Sequence, residues 1–428
     1  MTDKVKLISG FEVSDLHVAS DAPDWLRAER ESAFEKLAKV EFPTTSDEIW
    51  RYSRVDELLS LGLSMDVEPA KIVMASQPGK LPAVFASLAE SASLFVNLGA
   101  GRARVVATPR SSDVVFCSAS QLAEPTWPLS EPSDDFFELF GQANSPDRYV
   151  VDVPAGVALV GPIVVLHDEY ADGVNYMPHL VVSVGDNASA RLIEVFTGGN
   201  ERSLLGSSTK VHLGASARFE HFQVQDLELG AYQTSFVGTH LGVGASALFG
   251  AFSFGGHYAR IRSESHLLGD GARAQLKAAY FANGEQMQDF RTLQDHHGPN
   301  TYSDLLFKGA VAGKSHSVYS GLVRIEEGAI RSDAFQTNRN LVLSEGARAD
   351  SVPNLDIREN NVRCSHASAV GPIDPDLIFY LESRGIDPRR AERMIVRGFF
   401  KEILEGIDEP ELVGIVEALV AKKLEELD

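Results

Sequence analysis

Cys364 and His366, in the run Val362-Arg-Cys-Ser-His-Ala-Ser-Ala-Val-Gly371, have the types and spacing for metal or thiol chemistry. In an extended strand, residues i and i+2 face one side, with their Cα atoms roughly 6.5 Å apart. A thiolate and a neutral imidazole are both ligands for iron or zinc. The neighbouring Arg363 is a cation of the kind that lowers a thiol pKa. Two ligands do not complete a site, so others must come from elsewhere in the chain or from a second chain. Cys117, the other of the two cysteines, sits in an apolar run and reads as buried and inert.

Other chemistry-bearing residues read as structural. In Asp295-His296-His297 adjacent strand residues point to opposite faces, so the two imidazoles are not expected to share an ion; a single histidine ligand or a structural role is the expectation. His212, His221, His240, His257, His266 and His316 show no metal-ligand spacing. Gly309-Ala-Val-Ala-Gly313-Lys314-Ser315 has three residues between its glycines where a phosphate-binding loop has four, and strand-like sequence follows it, so a turn is expected. Gly99-Ala-Gly101 has Arg104 at the third glycine position and is no dinucleotide fingerprint.

The chain that must position these groups has 428 residues and a formal net charge of -21. That balance argues against nucleic acid or an anionic membrane as the main partner, since both select clustered Lys and Arg. No stretch approaches the roughly 20 apolar residues of a membrane span, and the N-terminus has no signal-like apolar run. With two cysteines there is no disulfide framework, and a reducing cytoplasm is the expected compartment.

Pro23–Val40 has the spacing of an amphipathic helix, Thr44–Leu63 reads as a second helical passage, and Leu81–Leu88 as a short helix. Ser93–Val106 and Val114–Ser118 read as strands. Pro125–Pro146, rich in Pro, Ser and acidic residues around Phe136–Phe140, reads as a connector carrying a short helix. From Asp147 onward short alternating or β-branched runs follow one another. A turn signature recurs with alanine at 188, 215, 245, 272, 329 and 347, spaced by 27, 30 and 27 residues, then 57, then 18. A period in the high twenties without helices predicts a β-solenoid. A sandwich also alternates strands with Gly-rich turns, and a propeller blade would need about 40 residues.

After Gly371 the pattern becomes helical. Asp374-Pro375, Asp387-Pro388 and Glu409-Pro410 supply start signals, and Gly385 and Gly406 the stops. Ala391, Met394, Ile395, Val396, Phe399, Phe400, Ile403 and Leu404 cover most of the middle helix, which must therefore be covered on more than one side, by neighbouring helices or by a partner protein. The expected organisation is an N-terminal helical or mixed region over 1–146, a solenoid over 147–372 and a helical domain over 373–428.

A set of motifs carries a resemblance. Leu305-Leu-Phe-Lys-Gly309, Ser320-Gly-Leu-Val323, Gln336-Thr-Asn-Arg-Asn340, Ala347-Arg-Ala-Asp350-Ser-Val-Pro-Asn354, Cys364-Ser-His366 and Phe379-Tyr-Leu-Glu-Ser-Arg-Gly-Ile386 together resemble the SufB/SufD family of iron–sulfur cluster assembly proteins. Glu48-Ile-Trp-Arg-Tyr52 is similar to the family's N-terminal E-x-W-R-Y element. The C-S-H-x-x-x-V-G pattern resembles the SufD branch, which usually reads C-[ST]-H-G-A-T-V-G where this chain has Ala367-Ser-Ala-Val370.

The resemblance implies a mainly β protein, a right-handed parallel β-helix flanked by an N-terminal mixed region and C-terminal helices. It implies a non-catalytic scaffold in a complex with SufB and the ATPase SufC, able to form a homodimer when alone. A transient iron–sulfur cluster would form at the SufB interface, with His366 as ligand and Cys364 beside it, and a reduced flavin has been proposed for such complexes. SufC would bind the C-terminal helices, where Phe379, Tyr380, Arg384, Met394, Val396, Phe399 and Phe400 are the expected contacts. The alternatives are a SufB-like or self-pairing paralogue, or a carbohydrate-binding or carbohydrate-active solenoid, which would need a carboxylate pair in a groove.

Overall fold

The computed structural model describes residues 22–61, 64–65, 71–77, 81–99, 102–107, 113–129, 132–145, 148–168, 174–199 and 203–427. Between Tyr149 and Gly371 the described residues wind between two sheets, laying one main strand in each per coil; in two early coils the first-sheet strand is preceded by a short one, Val174–Tyr176 or Leu204–Leu205. The first sheet runs, in neighbour order, through Tyr149–Val153, His179–Val184, Ser208–Leu213, Tyr232–Leu241, Tyr258–Leu267, Met287–His296, His316–Ile325 and Arg348–Ile357. The second runs through Ile163–His167, Ser189–Gly198, Arg218–Leu227, Ser246–Ser253, Arg273–Ala282, Tyr302–Val311, Asp333–Val342 and Arg363–Gly371. Successive coils pair in parallel and in register, the geometry of a parallel β-solenoid.

In-register stacking turns sequence alternation into rows of side chains. One row pointing into the lumen of the solenoid runs Ile163, Leu192, His221, Phe249, Leu276, Leu305, Gln336, His366. The neighbouring row ends Ala274, Ser303, Ala334, Cys364. The lumen core is apolar over most of its length, with Val182, Val211, Ile261, Phe290, Leu276 and Phe307 buried.

The repeat is exact in backbone terms where the first sheet's strands turn into the second's. Asn187, Ser216, Gly244, Gly271, Asn300 and Arg331 all have positive φ, and each precedes a buried small residue: Ala188, Ala217, Ala245, Ala272, Thr301 and Ser332. The left-handed conformation costs glycine and asparagine least, which is why those types recur there. This register corrects the expected alanine series at three places. Ala217, not Ala215, is the equivalent of Ala188, and Ser332 after Arg331, not Ala329, is the equivalent in the last such turn. Gly346-Ala347 belongs to the opposite turn, from the second sheet back to the first, which explains the short last interval.

Seven α-helices occur among the described residues: α1 (Asp24–Leu37), α2 (Val55–Ser60), α3 (Ala86–Ser91), α4 (Phe136–Asn144), α5 (Pro375–Glu382), α6 (Pro388–Leu404) and α7 (Pro410–Glu425). The passage expected as helix over 44–63 contains, among its described residues, only a 3-10 turn at Glu48–Trp50 and α2. The helix α4 is no exposed connector. All nine of its residues are buried, and Phe136, Phe137 and Phe140 pack with Trp50, Tyr258, Met287 and Val318 on the outer face of the first sheet. There Trp50 of the E-x-W-R-Y element lies under the Arg260 guanidinium, 3.8 Å from its centre, a desolvated cation–π contact.

The outer face of the second sheet is covered by α6 and α7, whose Val396, Phe400, Ile403, Leu412 and Val416 join Ala279, Phe281, Ala310 and Ala312 in one cluster. Lys308 reaches out of that sheet to donate to the Phe399 carbonyl at 2.9 Å and to pair with Glu402. Asp374 and Asp387 cap α5 and α6 by accepting from Asp376 N and from Arg389 N and Arg390 N. Glu409 caps nothing with its side chain, which pairs with Arg191 instead. At the start of the solenoid the sheets continue into Leu94–Gly99, Arg102–Ala107 and Val115–Ser118, partly through antiparallel pairings.

Candidate functional site

Arg363–Gly371, the last strand of the second sheet, hydrogen-bonds only to Asp333–Val342 among the described residues, and Arg348–Ile357 only to His316–Ile325. The solenoid therefore ends on two open strand edges, each presenting backbone groups that a further strand can pair with. Alternation along Arg363–Gly371 sends Cys364, His366, Ser368 and Val370 toward the lumen side of this open end. The sequence places Cys364 and His366 on one face, and the structure brings them together there.

Their environments differ. Cys364 is half-buried against Val323, Ile325, Ala329 and Ala334, and burial pushes its thiol up to about 11. Arg363 does not counter this, contrary to the sequence expectation: it faces the opposite side of the strand, where Nε and Nη2 donate to Asp333 at 2.7 and 2.5 Å. At neutral pH Cys364 is thus a neutral thiol that becomes a ligand only when a metal displaces its proton. His366 is exposed, and neither ring nitrogen has a hydrogen-bond partner among the described residues.

One coil inward, the floor beneath these two residues is polar. Gln336, directly in register with His366, is buried, and neither atom of its amide has a partner among the described residues. Beside it Tyr280 Oη donates to Asn340 Oδ1 at 2.8 Å, Asn338 Nδ2 to Tyr280 Oη at 3.0 Å and Asn340 Nδ2 to Asn338 Oδ1 at 2.8 Å. Gly309 has no side chain because a Cβ there would sit 2.0 Å from the Tyr280 ring and 2.4 Å from Asn340 Oδ1. The Gly309–Ser315 segment is the end of a strand and a turn, with Gly313 at φ 66°. Around the polar floor, the rim of the open end carries exposed apolar side chains: Val352, Leu355, Ile357 and Val370.

The C-terminal residues split into two groups. Val396 and Phe400 are buried in the cluster under α6 and α7; their place is inside this chain, so they leave the set of expected partner contacts. Phe399 is half-buried beneath Lys308, whose Nζ is 4.5 Å from its ring centre. Phe379, Tyr380, Arg384 and Met394 are exposed, and no residue of α5 is buried. Arg384 lies over the Tyr380 ring at 5.0 Å.

The histidines read as structural include some that composition could not have grouped. Glu194, deep in the lumen, has Oε1 2.9 Å from His167 Nε2 and Oε2 2.7 Å from His221 Nε2, and it accepts from Thr209 Oγ1 at 2.8 Å. Burial raises its pKa, but hydrogen bonds from His167 and His221 overcome that and hold the carboxyl below its usual range. His296 turns into the lumen, with its ring nitrogens each 2.8 Å from Thr301 Oγ1 and Ser303 Oγ, while Asp295 and His297 stay outside, as alternation predicts. A 29-residue step, one coil of the solenoid, sets His266 beside Asp295. That step is the signal that would have joined them.

Residues 167–399 match the family model described as "SUF system FeS cluster assembly, SufBD core domain". An iron–sulfur cluster assembly SufBD family protein of Mycobacterium tuberculosis is 30% identical over 399 residues, covering 90% of each chain. The iron–sulfur cluster assembly protein SufD of Escherichia coli is 28% identical over 281 residues, covering 64% of this chain and 66% of the relative. SufD of Bacillus subtilis is 28% identical over 278 residues, 63% of each. None of the described helices is long and apolar enough to cross a membrane.

Proposed function

The chain belongs to the SufB/SufD family of iron–sulfur cluster assembly proteins, and we propose that it serves there as a SufD-like, non-catalytic scaffold in the cytoplasm, pairing through the open end of its solenoid with a SufB-like paralogue. The observation that carries this reading is the conjunction at that end: among the described residues, two strand edges without a further strand, an apolar rim, and an imidazole with no hydrogen-bond partner above the buried Gln336 amide, which has none either. A partner strand would satisfy the edges, and the ligands it brings would complete a site that His366 and Cys364 only begin. The cluster is cargo, assembled between the chains and passed on. His366 is the exposed ligand of the pair; Cys364 joins once iron displaces its proton.

In the same reading a SufC-like ATPase docks on the exposed face of α5 and α6, at Phe379, Tyr380, Arg384 and Met394, with Phe399 at its edge. The reduced flavin belongs to the assembled complex, and no residue here is given to it. The division into 1–146, 147–372 and 373–428 is kept as a functional one, with the middle part for assembly and the last for the ATPase.

The test is co-expression with SufB-like and SufC-like partners, followed by sizing and anaerobic iron and sulfide analysis. His366→Ala is expected to preserve the complex and remove cluster formation. Tyr380→Asp with Phe379→Asp is expected to release the ATPase while the paralogue stays bound. Normal cluster yield from the His366 variant would overturn the ligand assignment. A homodimer that excludes the paralogue would favour a self-pairing scaffold.

A further inference from the structure

On the outer face of the first sheet, two coils in from its last strand, His266, Asp295 and His297 converge. Asp295 Oδ2 lies 3.1 Å from His266 Nδ1 and 2.9 Å from His297 Nε2. One ligand atom from each residue falls within 4.8 Å of the others. Around an ion bonded at about 2.1 Å, donors stand about 3 Å apart in octahedral and about 3.4 Å apart in tetrahedral geometry, close to the spacing of these two pairs. We propose that His266, Asp295 and His297 form a binding site for a divalent first-row transition ion, separate from the cluster-assembling end.

The surroundings are those of a ligand set rather than a chance hydrogen-bond cluster. His266 Nε2 is 3.3 Å from Glu264 Oε2, and Glu264 Oε1 accepts from Arg262 Nε at 2.7 Å. A carboxylate on the far nitrogen fixes the tautomer and orientation of a metal-binding imidazole, and here it leaves Nδ1 aimed at Asp295. The ring plane is further held by stacking, since His212, His240 and His266 lie in register with successive centroids 4.9 Å apart. Burial keeps His212 and His240 neutral, at about 3 and about 4. At His266 burial acts the same way, but hydrogen bonds to Asp295 and Glu264 outweigh it and raise the ring to about 9, so an ion binding there displaces a proton. Asp295 Oδ1 is buried without a hydrogen-bond partner among the described residues, an acceptor that a bound ion would use.

Access is open on one side. His297 keeps 42% of its side chain exposed, and His266 and Asp295 line a cleft of about 650 Å³ with Arg262, Arg291 and Glu264. Two imidazoles and one carboxylate with free positions on the solvent side make the donor set of non-haem iron and of open zinc sites.

The site stands independently of the proposed function, and its test removes the other candidate ligands first. The full-length metal-free chain carrying Cys364→Ser and His366→Ala is titrated anaerobically with Co(II), read by visible absorption, and then challenged with Zn(II). One equivalent of Co(II), displaced by Zn(II), is expected. Adding His297→Ala or Asp295→Asn should weaken binding at least tenfold, and Glu264→Gln about tenfold through the orienting contact. His297→Ala alters an exposed side chain, and an unchanged melting curve checks its fold. Absence of Co(II) binding in the Cys364→Ser, His366→Ala chain overturns the proposal, as does binding that neither His297→Ala nor Asp295→Asn weakens.

Discussion

Glu194 and Gln336 are both buried polar side chains in the lumen of one solenoid, and they are treated in opposite ways. Near the start of the solenoid both oxygens of Glu194 are held by His167, His221 and Thr209. Under the last coil, both amide atoms of Gln336 go without partners among the described residues. The early coils are continued by further strands and packed closed; the final coil offers its edges, its rim and Gln336 to whatever comes next. Unsatisfied buried groups are costly. At an open end such a group lies where a further chain segment can supply its partner.

This contrast can be broken most sharply at Glu194. Glu194→Ala strips His167, His221, Thr209 and Gln223 of their acceptor and should cost about 3 kcal/mol or more in the isolated chain, read from urea unfolding. An unchanged midpoint would mean that the early lumen does not depend on its polar network. Smaller in free energy is Val370→Asp on the open rim. It should leave the melting curve of the isolated chain nearly unchanged and weaken pairing with the paralogue at least tenfold, about 1.4 kcal/mol. If pairing persists, the rim is not the interface. Smallest is Gln336→Met, which removes the unsatisfied amide. The isolated chain should gain about 1 kcal/mol while cluster yield in the complex falls. A loss of stability instead would mean that the amide is already satisfied within the chain.

Much of the architecture is legible in the sequence. A period in the high twenties is a property of the chain, because each coil must supply two strands and two turns of similar length. The caps at Asp374 and Asp387 and the stops at Gly385 and Gly406 are local, set by side-chain oxygens reaching the first N–H groups and by positive φ. Cys364 and His366 share a face through alternation alone. The caps, the stops and the shared face needed only neighbours within a few residues.

Register was not legible to the same accuracy. Taking Ala215 for Ala217 leaves the period intact but misaligns the stacked rows, and rows decide which side chains touch. His266 and Asp295 looked unrelated, yet one coil of the solenoid makes them neighbours. Burial was decided at the same level. The aromatic run of α4 read as a connector and became a lid on the first sheet, and Val396 and Phe400 read as contacts for a partner but face the chain's own second sheet. The Cys364 thiol went the same way: Arg363 stands next to it in sequence, but alternation turns the guanidinium to Asp333 and leaves the sulfur among apolar side chains. Residue order sets which groups exist and on which face of a strand they lie. Stacking of the coils decides which of them meet, because in-register contacts between neighbouring coils join residues about 30 positions apart that no local rule connects.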